Sequence, residues 1–90
     1  MSDLNIYRFP PTRFTSNSPW RQWWHLFSEV LELGFALLQR NVQHASRETW
    51  DVGQSSETMN RILAGLGADV PMAREHVISG CRERGYYDEH

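Results

Sequence analysis

The feature that most constrains the fold is a run of apolar side chains between residues 19 and 40, which recur at three- and four-residue steps. This period matches one face of an α-helix, whereas a half-buried strand would alternate apolar and polar residues. Ser18-Pro19 provides a start signal, because a serine hydroxyl can cap the helix and proline suits the first helical position. The pattern therefore predicts a first helix over residues 19–40. Its apolar stripe consists of Trp20, Trp23, Trp24, Phe27, Leu31, Phe35 and Leu38.

Two further helices are predicted downstream. The second covers residues 46–66, and Gly67 is suited to follow its last turn in a left-handed conformation. The third begins behind a capping Asp69, carries Pro71 in its first turn and ends near Arg84. No segment of useful length alternates apolar and polar residues. The sequence therefore predicts an all-α fold with three main helices.

The remaining segments are predicted to be irregular. Residues 1–18 form an N-terminal arm, because Pro10-Pro11 favours extended backbone and a run of turn-forming residues follows. Residues 41–46 are predicted to connect the first two helices. The chain is thus an arm followed by one all-α domain, residues 19–90, near the lower size limit for a self-sufficient core.

Charge and cysteine content exclude several classes of protein. The formal net charge is −2 at pH 7, which argues against a nucleic-acid partner. The single cysteine, Cys81, excludes an internal disulfide and fits a reducing cytoplasm. The longest apolar-rich run, residues 30–38, contains Glu32 and is too short to span a bilayer. Since the first residues also lack the pattern of a signal peptide, we expect a cytoplasmic protein with no membrane partner.

The first helix is apolar over more than half of its circumference, since Leu26, Leu33 and Leu37 extend the main stripe. Two neighbouring helices of the same chain cannot cover so wide an arc. We therefore expect a homodimer or homotetramer in which the first two helices lie at the interface. The alternative is a monomer with several exposed apolar residues, which is common among soluble proteins.

Two pairs of acidic residues, each three positions apart, fall on the first two helices. Glu29 and Glu32 lie in SEVLEL, and Glu48 and Asp51 lie in RETWDV. Residues three apart are neighbours on a helix surface. The second pair shares a line with the apolar residues of its helix, so two carboxylates point toward the side that should be buried. A buried carboxylate normally protonates, pairs or binds a metal, and this chain contains no lysine.

A magnesium ion would resolve this burial of charge. Mg²⁺ is bound by carboxylates together with water and substrate phosphates, and acidic residues on facing helices form metal sites in helix bundles. Such a site can bind a triphosphate through the metal and activate water for attack on phosphorus. The alternative is that each pair belongs to a solvated helix face. Glu48 would then merely complement the dipole of its helix.

The acidic motif and its flanks resemble a known family. Glu29-x-x-Glu32, a spacer of fifteen residues and Glu48-x-x-Asp51 are similar to the signature of the MazG-like all-α nucleoside triphosphate pyrophosphohydrolases, which are related to dimeric dUTPases and dCTP pyrophosphatases. SEVLEL resembles the family's EEVGEL, and CRERGYY resembles the R-G-Y-Y ending of short members. The resemblance covers about residues 18–87.

This resemblance implies hydrolysis of a nucleoside triphosphate, ribo or deoxy, to the monophosphate and pyrophosphate, as in house-cleaning of nucleotide pools. It implies dependence on Mg²⁺, with Mn²⁺ as a substitute, and an oligomer whose helices form a four-helix-bundle core. The metal ligands and catalytic carboxylates would be Glu29, Glu32, Glu48 and Asp51.

The chain departs from the family pattern at two points. The first glutamate of the family's E-E-x-x-E is Ser28 here, and the lysine that members commonly place near the C-terminal helix is absent. Arg82 and Arg84 are therefore the candidate phosphate-binding residues, with Arg74 in reserve, since arginine can contact phosphate in a bidentate manner. These departures leave an alternative open, a catalytically inactive helical module that binds a partner or senses nucleotide.

Aromatic and histidine residues offer further candidates. Trp23 is a candidate for stacking on the nucleobase, since aromatic faces accept any base, and packing is its alternative role. His25 lies one turn before Glu29 and is expected to be a surface or hydrogen-bonded residue rather than a Mg²⁺ ligand. His44 belongs to no evident constellation. The motif does not determine which base or sugar is preferred.

Overall fold

The computed structural model describes residues 6–88. A short 3-10 helix, Arg13–Ser16, precedes three α-helices. These are α1, Pro19–Leu38; α2, Val42–Gly65; and α3, Val70–Glu83. The described residues contain no strand, so the prediction of an all-α fold with three helices is confirmed.

The predicted helix caps are confirmed in detail. The Ser18 side chain accepts a hydrogen bond from the backbone N–H of Arg21, and the Asp69 side chain accepts one from the N–H of Met72 at 3.0 Å. Gly67 follows α2 with a φ of 108°, in the region that favours glycine. The start of α1, both ends of α3 and the end of α2 therefore agree with the local sequence signals.

The prediction that residues 41–46 form a connection is wrong. The Asn41 side chain accepts a hydrogen bond from the N–H of His44 at 3.0 Å, so Asn41 caps a helix that already begins at Val42. Arg40 reverses the chain direction with a φ of 58°, a conformation that non-glycine residues rarely adopt. The short reversal makes α1 and α2 an antiparallel hairpin.

Small and polar side chains fill the space between α1 and α2. Ala36 and Ala45 are buried where the two helices approach near the reversal. Gln22 is completely buried, and its Nε2 donates to the backbone oxygen of Ser55 at 3.1 Å. A buried amide needs such partners, and this hydrogen bond links the two helices within their buried interface.

The N-terminal arm is fastened to the outside of α2. The Glu57 carboxylate accepts hydrogen bonds from the backbone N–H groups of Arg8 and Phe9, at 2.8–3.0 Å. The Arg61 guanidinium donates to the Phe9 carbonyl at 2.9 Å and lies 4.1 Å from the centre of the Tyr7 ring. The predicted arm is therefore anchored from residue 7 onward, and its residues 1–5 lie outside the described part of the chain.

Most large apolar side chains of α1 lie on its outer face. Trp20 is 74% exposed and Leu38 is 79% exposed, and no tryptophan in the described chain is buried. The third helix contacts α2 only lightly. None of the described helices has the length and apolar character needed to cross a membrane.

Candidate metal centre

The hairpin brings acids from α1 and α2 together. Glu29 lies opposite Glu48 and Asp51, and one carboxylate oxygen from each lies within 4.8 Å of the others. Oxygens around a magnesium ion lie about 2.1 Å from it, so opposite ligands are about 4 Å apart. A small adjustment of side chains would therefore let these three residues, which we call the acid cluster, share one cation.

Glu48 is the most deeply placed member of the acid cluster. Glu48 is only 6% exposed. This burial agrees with the prediction from its position on the apolar side of α2. Its Oε2 is bound by His44, but its Oε1 is buried and has no hydrogen-bond partner in the described chain. An unsatisfied buried carboxylate oxygen is costly, and a hard cation is a suitable partner for it.

Arginine does not neutralise the acid cluster. Among residues 6–88, the ion pairs of Glu29 and Glu48 are made with His25 and His44, and the remaining pair, Arg74 with Glu75, lies on α3. Burial raises the pKa of the Glu29 carboxyl, and the charge of Asp51 raises this pKa further. Neighbouring carboxylates repel one another when they are ionised, and a bound cation would offset this repulsion.

The fourth predicted ligand, Glu32, lies outside the acid cluster. Glu32 is exposed on α1, about one turn beyond Glu29. The negative charge of Glu32 still contributes to the raised pKa of Glu29. Three residues correspond to about 300° on a helix, so Glu32 is rotated away from the line that Glu29 shares with α2.

Two histidines contact the acid cluster. His25 Nε2 lies 3.2 Å from Glu29 Oε1, and His44 Nε2 lies 3.0 Å from Glu48 Oε2. His25 is half-buried and contacts the Glu29 carboxylate at ion-pair distance, whereas the contact of His44 with Glu48 also has hydrogen-bond geometry. The prediction that His44 belongs to no constellation is wrong. The predicted start of α2 at residue 46 leaves His44 outside that helix, whereas the structure places it inside α2, four residues before Glu48.

A cavity of about 180 Å³ adjoins the acid cluster. Glu29 and Asp51 form part of its wall, and Gln54 and Ser55 add polar side chains from α2. The arm closes another side with Thr12 and Phe14. Acidic and polar side chains therefore line much of this cavity.

The predicted phosphate-binding arginines lie elsewhere in the chain. Arg82 and Arg84 are exposed near the end of α3, and the Arg84 guanidinium lies 4.9 Å from the centre of the Tyr86 ring. Arg74, the reserve candidate, pairs with Glu75 at 3.2 Å on the same helix. None of the three lines the cavity beside the acid cluster.

Trp23, the predicted base-stacking residue, belongs to the outer aromatic face of α1. Its ring is nearly parallel to that of Phe27, with centroids 5.6 Å apart, and it meets Trp24 edge-on at 4.7 Å. It does not line the cavity. Within one chain, the Trp23 ring therefore stacks on the Phe27 side chain.

Comparison of the chain with protein-family models, with curated proteins and with solved structures finds no match. The resemblance to MazG-like enzymes therefore rests on the acidic motif and its flanking residues.

Proposed function

We propose that this protein is a Mg²⁺-dependent nucleoside triphosphate pyrophosphohydrolase, which releases pyrophosphate and a nucleoside monophosphate. The observation that carries the proposal is the acid cluster of Glu29, Glu48 and Asp51, in which a buried oxygen of Glu48 has no hydrogen-bond partner among residues 6–88. Three converging carboxylates supply hard oxygen ligands of the kind that Mg²⁺ prefers.

The acid cluster would bind the metal ion, and the residues beside it would bind the substrate. Bound Mg²⁺ would supply positive charge for the phosphate oxygens and lower the pKa of a coordinated water. Glu29, Glu48 and Asp51 would hold the ion between α1 and α2. The polar side chains of Gln54 and Ser55 line the adjoining cavity and would orient a bound phosphate group.

We further propose that the protein acts as a homodimer or homotetramer with a four-helix core. The Cα radius of gyration is 15.0 Å, whereas a compact domain of this length has about 12 Å. An exposed apolar face as large as that of α1 is typical of an interface. In such an assembly Arg82, Arg84 and Trp23 remain candidate substrate contacts, provided that another copy brings them toward the acid cluster.

A reducing cytoplasm is the compartment that we propose for this activity, since Cys81 is a free thiol and nucleotide pools are cytoplasmic. The alternative function is an inactive helical module that binds a partner or senses nucleotide.

Pyrophosphate release separates the two functions. Ribo- and deoxyribonucleoside triphosphates of each base are incubated with the protein, with and without Mg²⁺, and products are identified by ³¹P NMR. The proposal expects pyrophosphate and monophosphate from at least one nucleotide, only with the metal, and the panel also defines base and sugar preference. Intact triphosphates throughout the panel would favour the inactive module.

A further inference from the structure

The two helices that carry the acid cluster repeat one arrangement. On α1, His25 precedes Glu29 by four residues, and on α2, His44 precedes Glu48 by four residues. Both imidazoles contact their glutamate through Nε2, at 3.2 and 3.0 Å. We refer to these as the two His–Glu pairs. Each pair therefore directs a histidine at an acid that belongs to the cluster.

The burial within each pair is uneven. The side chain of Glu48 is 7% exposed and that of His44 is 38% exposed, and the corresponding values for Glu29 and His25 are 16% and 35%. Each imidazole is thus more exposed to solvent than the carboxylate that it contacts. An exposed helical ion pair, such as Arg74 with Glu75, has both partners in water and little effect on either.

The hydrogen bond from His44 occupies one oxygen of Glu48 and leaves the other free. Oε2 accepts from His44, while Oε1 is buried without a partner in the described chain. Rotation of the carboxylate would break the only side-chain hydrogen bond that it makes there. On α1, the Phe14 ring of the arm packs 5.0 Å from the His25 ring and limits the movement of that imidazole.

We propose that His25 and His44 are positioning residues of the cation site, each holding one oxygen of its glutamate so that the other is presented to a divalent ion. This inference rests on the metal site of the proposed function, although not on hydrolysis. Groups that hydrogen-bond to metal ligands orient them and raise metal affinity. Because each imidazole contacts a carboxylate of the acid cluster and Mg²⁺ prefers oxygen ligands, the histidines act beside the metal and not as ligands.

Mn²⁺ titration followed by electron paramagnetic resonance tests this role, because the signal of free Mn²⁺ measures binding directly. His44→Ala and His25→Ala should each weaken Mn²⁺ binding by about 10- to 100-fold. His44→Gln should recover most of the affinity, because the glutamine amide can donate from a similar distance. His76→Ala, on exposed α3, serves as the control and should bind like the wild type. Circular dichroism verifies that every variant is helical.

Three results would overturn the inference. Wild-type affinity in both alanine variants would reduce the pairs to ordinary helix-surface contacts. Direct ¹⁴N coupling to bound Mn²⁺, with no recovery in His44→Gln, would make the histidines ligands. Absence of Mn²⁺ binding to the wild type would remove the metal site and the inference together. Histidine-dependent binding without pyrophosphate release from any nucleotide would instead leave the inference standing and contradict the proposed function alone.

Discussion

Glu29 on α1 and Asp51 on α2 face each other across the helix hairpin, with carboxylate oxygens within 4.8 Å, and burial together with the charge of Asp51 raises the pKa of Glu29. The two residues are separated by 21 intervening positions in the sequence, so local contacts along one helix do not bring their carboxylates together. The relationship exists because Arg40 and Asn41 reverse the chain tightly enough to align the two helices. The acid cluster is therefore a product of the hairpin.

Removal of the Asp51 charge should stabilise the metal-free protein. Two unit charges 4 Å apart repel by about 1 kcal/mol in water and about 4 kcal/mol at an effective dielectric of 20, and Asp51 is only half-buried. Asp51→Asn keeps nearly the same shape, so we expect a gain near the lower value, or about 4–8 °C in Tm. Thermal denaturation monitored by circular dichroism, with Glu83→Gln as an exposed control, measures the gain. Loss of the helical fold in Asp51→Asn would make Asp51 a structural acid.

Replacement of Arg40 by glycine should also raise stability. Arg40 has a φ of 58°, a left-handed conformation that costs a residue with a side chain about 1–2 kcal/mol. Glycine is the usual residue at this position after a helix, so Arg40→Gly should stabilise the protein by about 1 kcal/mol. Gly67→Ala, at a φ of 108°, should have the opposite effect. Urea denaturation compares both variants, and a less stable Arg40→Gly protein would contradict the account of the reversal.

The arm should depend on Glu57 for its attachment. The Glu57 carboxylate accepts backbone hydrogen bonds from Arg8 and Phe9, and hydrogen bonds to charged groups contribute about 1.5–3 kcal/mol each. Because these bonds are partly exposed, we expect Glu57→Ala to lower the free energy of unfolding by about 1–2 kcal/mol. Limited proteolysis should then cleave within the arm first. Equal protease resistance in wild type and variant would mean that the arm does not rely on this carboxylate.

The outer face of α1 should mediate self-association. Phe35 is 61% exposed on that face, and a glutamate there would bury an unpaired charge in any interface. Sedimentation at micromolar concentration should show no major 10.6 kDa species for the wild type and a monomer for Phe35→Glu. Met72→Glu, at an exposed apolar position of α3, is the matched control and should sediment like the wild type. A clean wild-type monomer would remove the proposed oligomer.

The helices were predictable because their signals are local. Ser18 and Asp69 cap helices through contacts within three residues, and Gly67 ends α2 through its own backbone conformation. Asn41 carries the same kind of capping signal, but apolar periodicity is weak in the first turn of α2. The sequence pattern therefore predicts a later start for this helix, which leaves His44 outside the helix that carries Glu48.

The acid cluster was predictable only in part. The position of Glu48 and Asp51 on the apolar side of α2 indicated burial, and Glu48 is indeed buried. The choice of Glu29 over Glu32 depends on how α1 is rotated against α2. The buried Gln22, which donates to the Ser55 carbonyl, lies seven residues before Glu29 and therefore on nearly the same face of α1. The spacing of residues along one helix does not specify how that helix is rotated against its neighbour. The remote placement of Arg82 and Arg84 likewise follows from the light packing of α3.

The Mg²⁺ dependence of pyrophosphate release, compared between the wild type and two matched glutamate variants, tests whether the acid cluster is a catalytic magnesium site. Glu48→Gln removes the charge of the buried glutamate, and Glu83→Gln removes the same charge from an exposed site on α3. We expect Mg²⁺-dependent release by the wild type and by Glu83→Gln, and loss of most release in Glu48→Gln. Release that persists without Mg²⁺, or that survives unchanged in Glu48→Gln, would contradict this assignment.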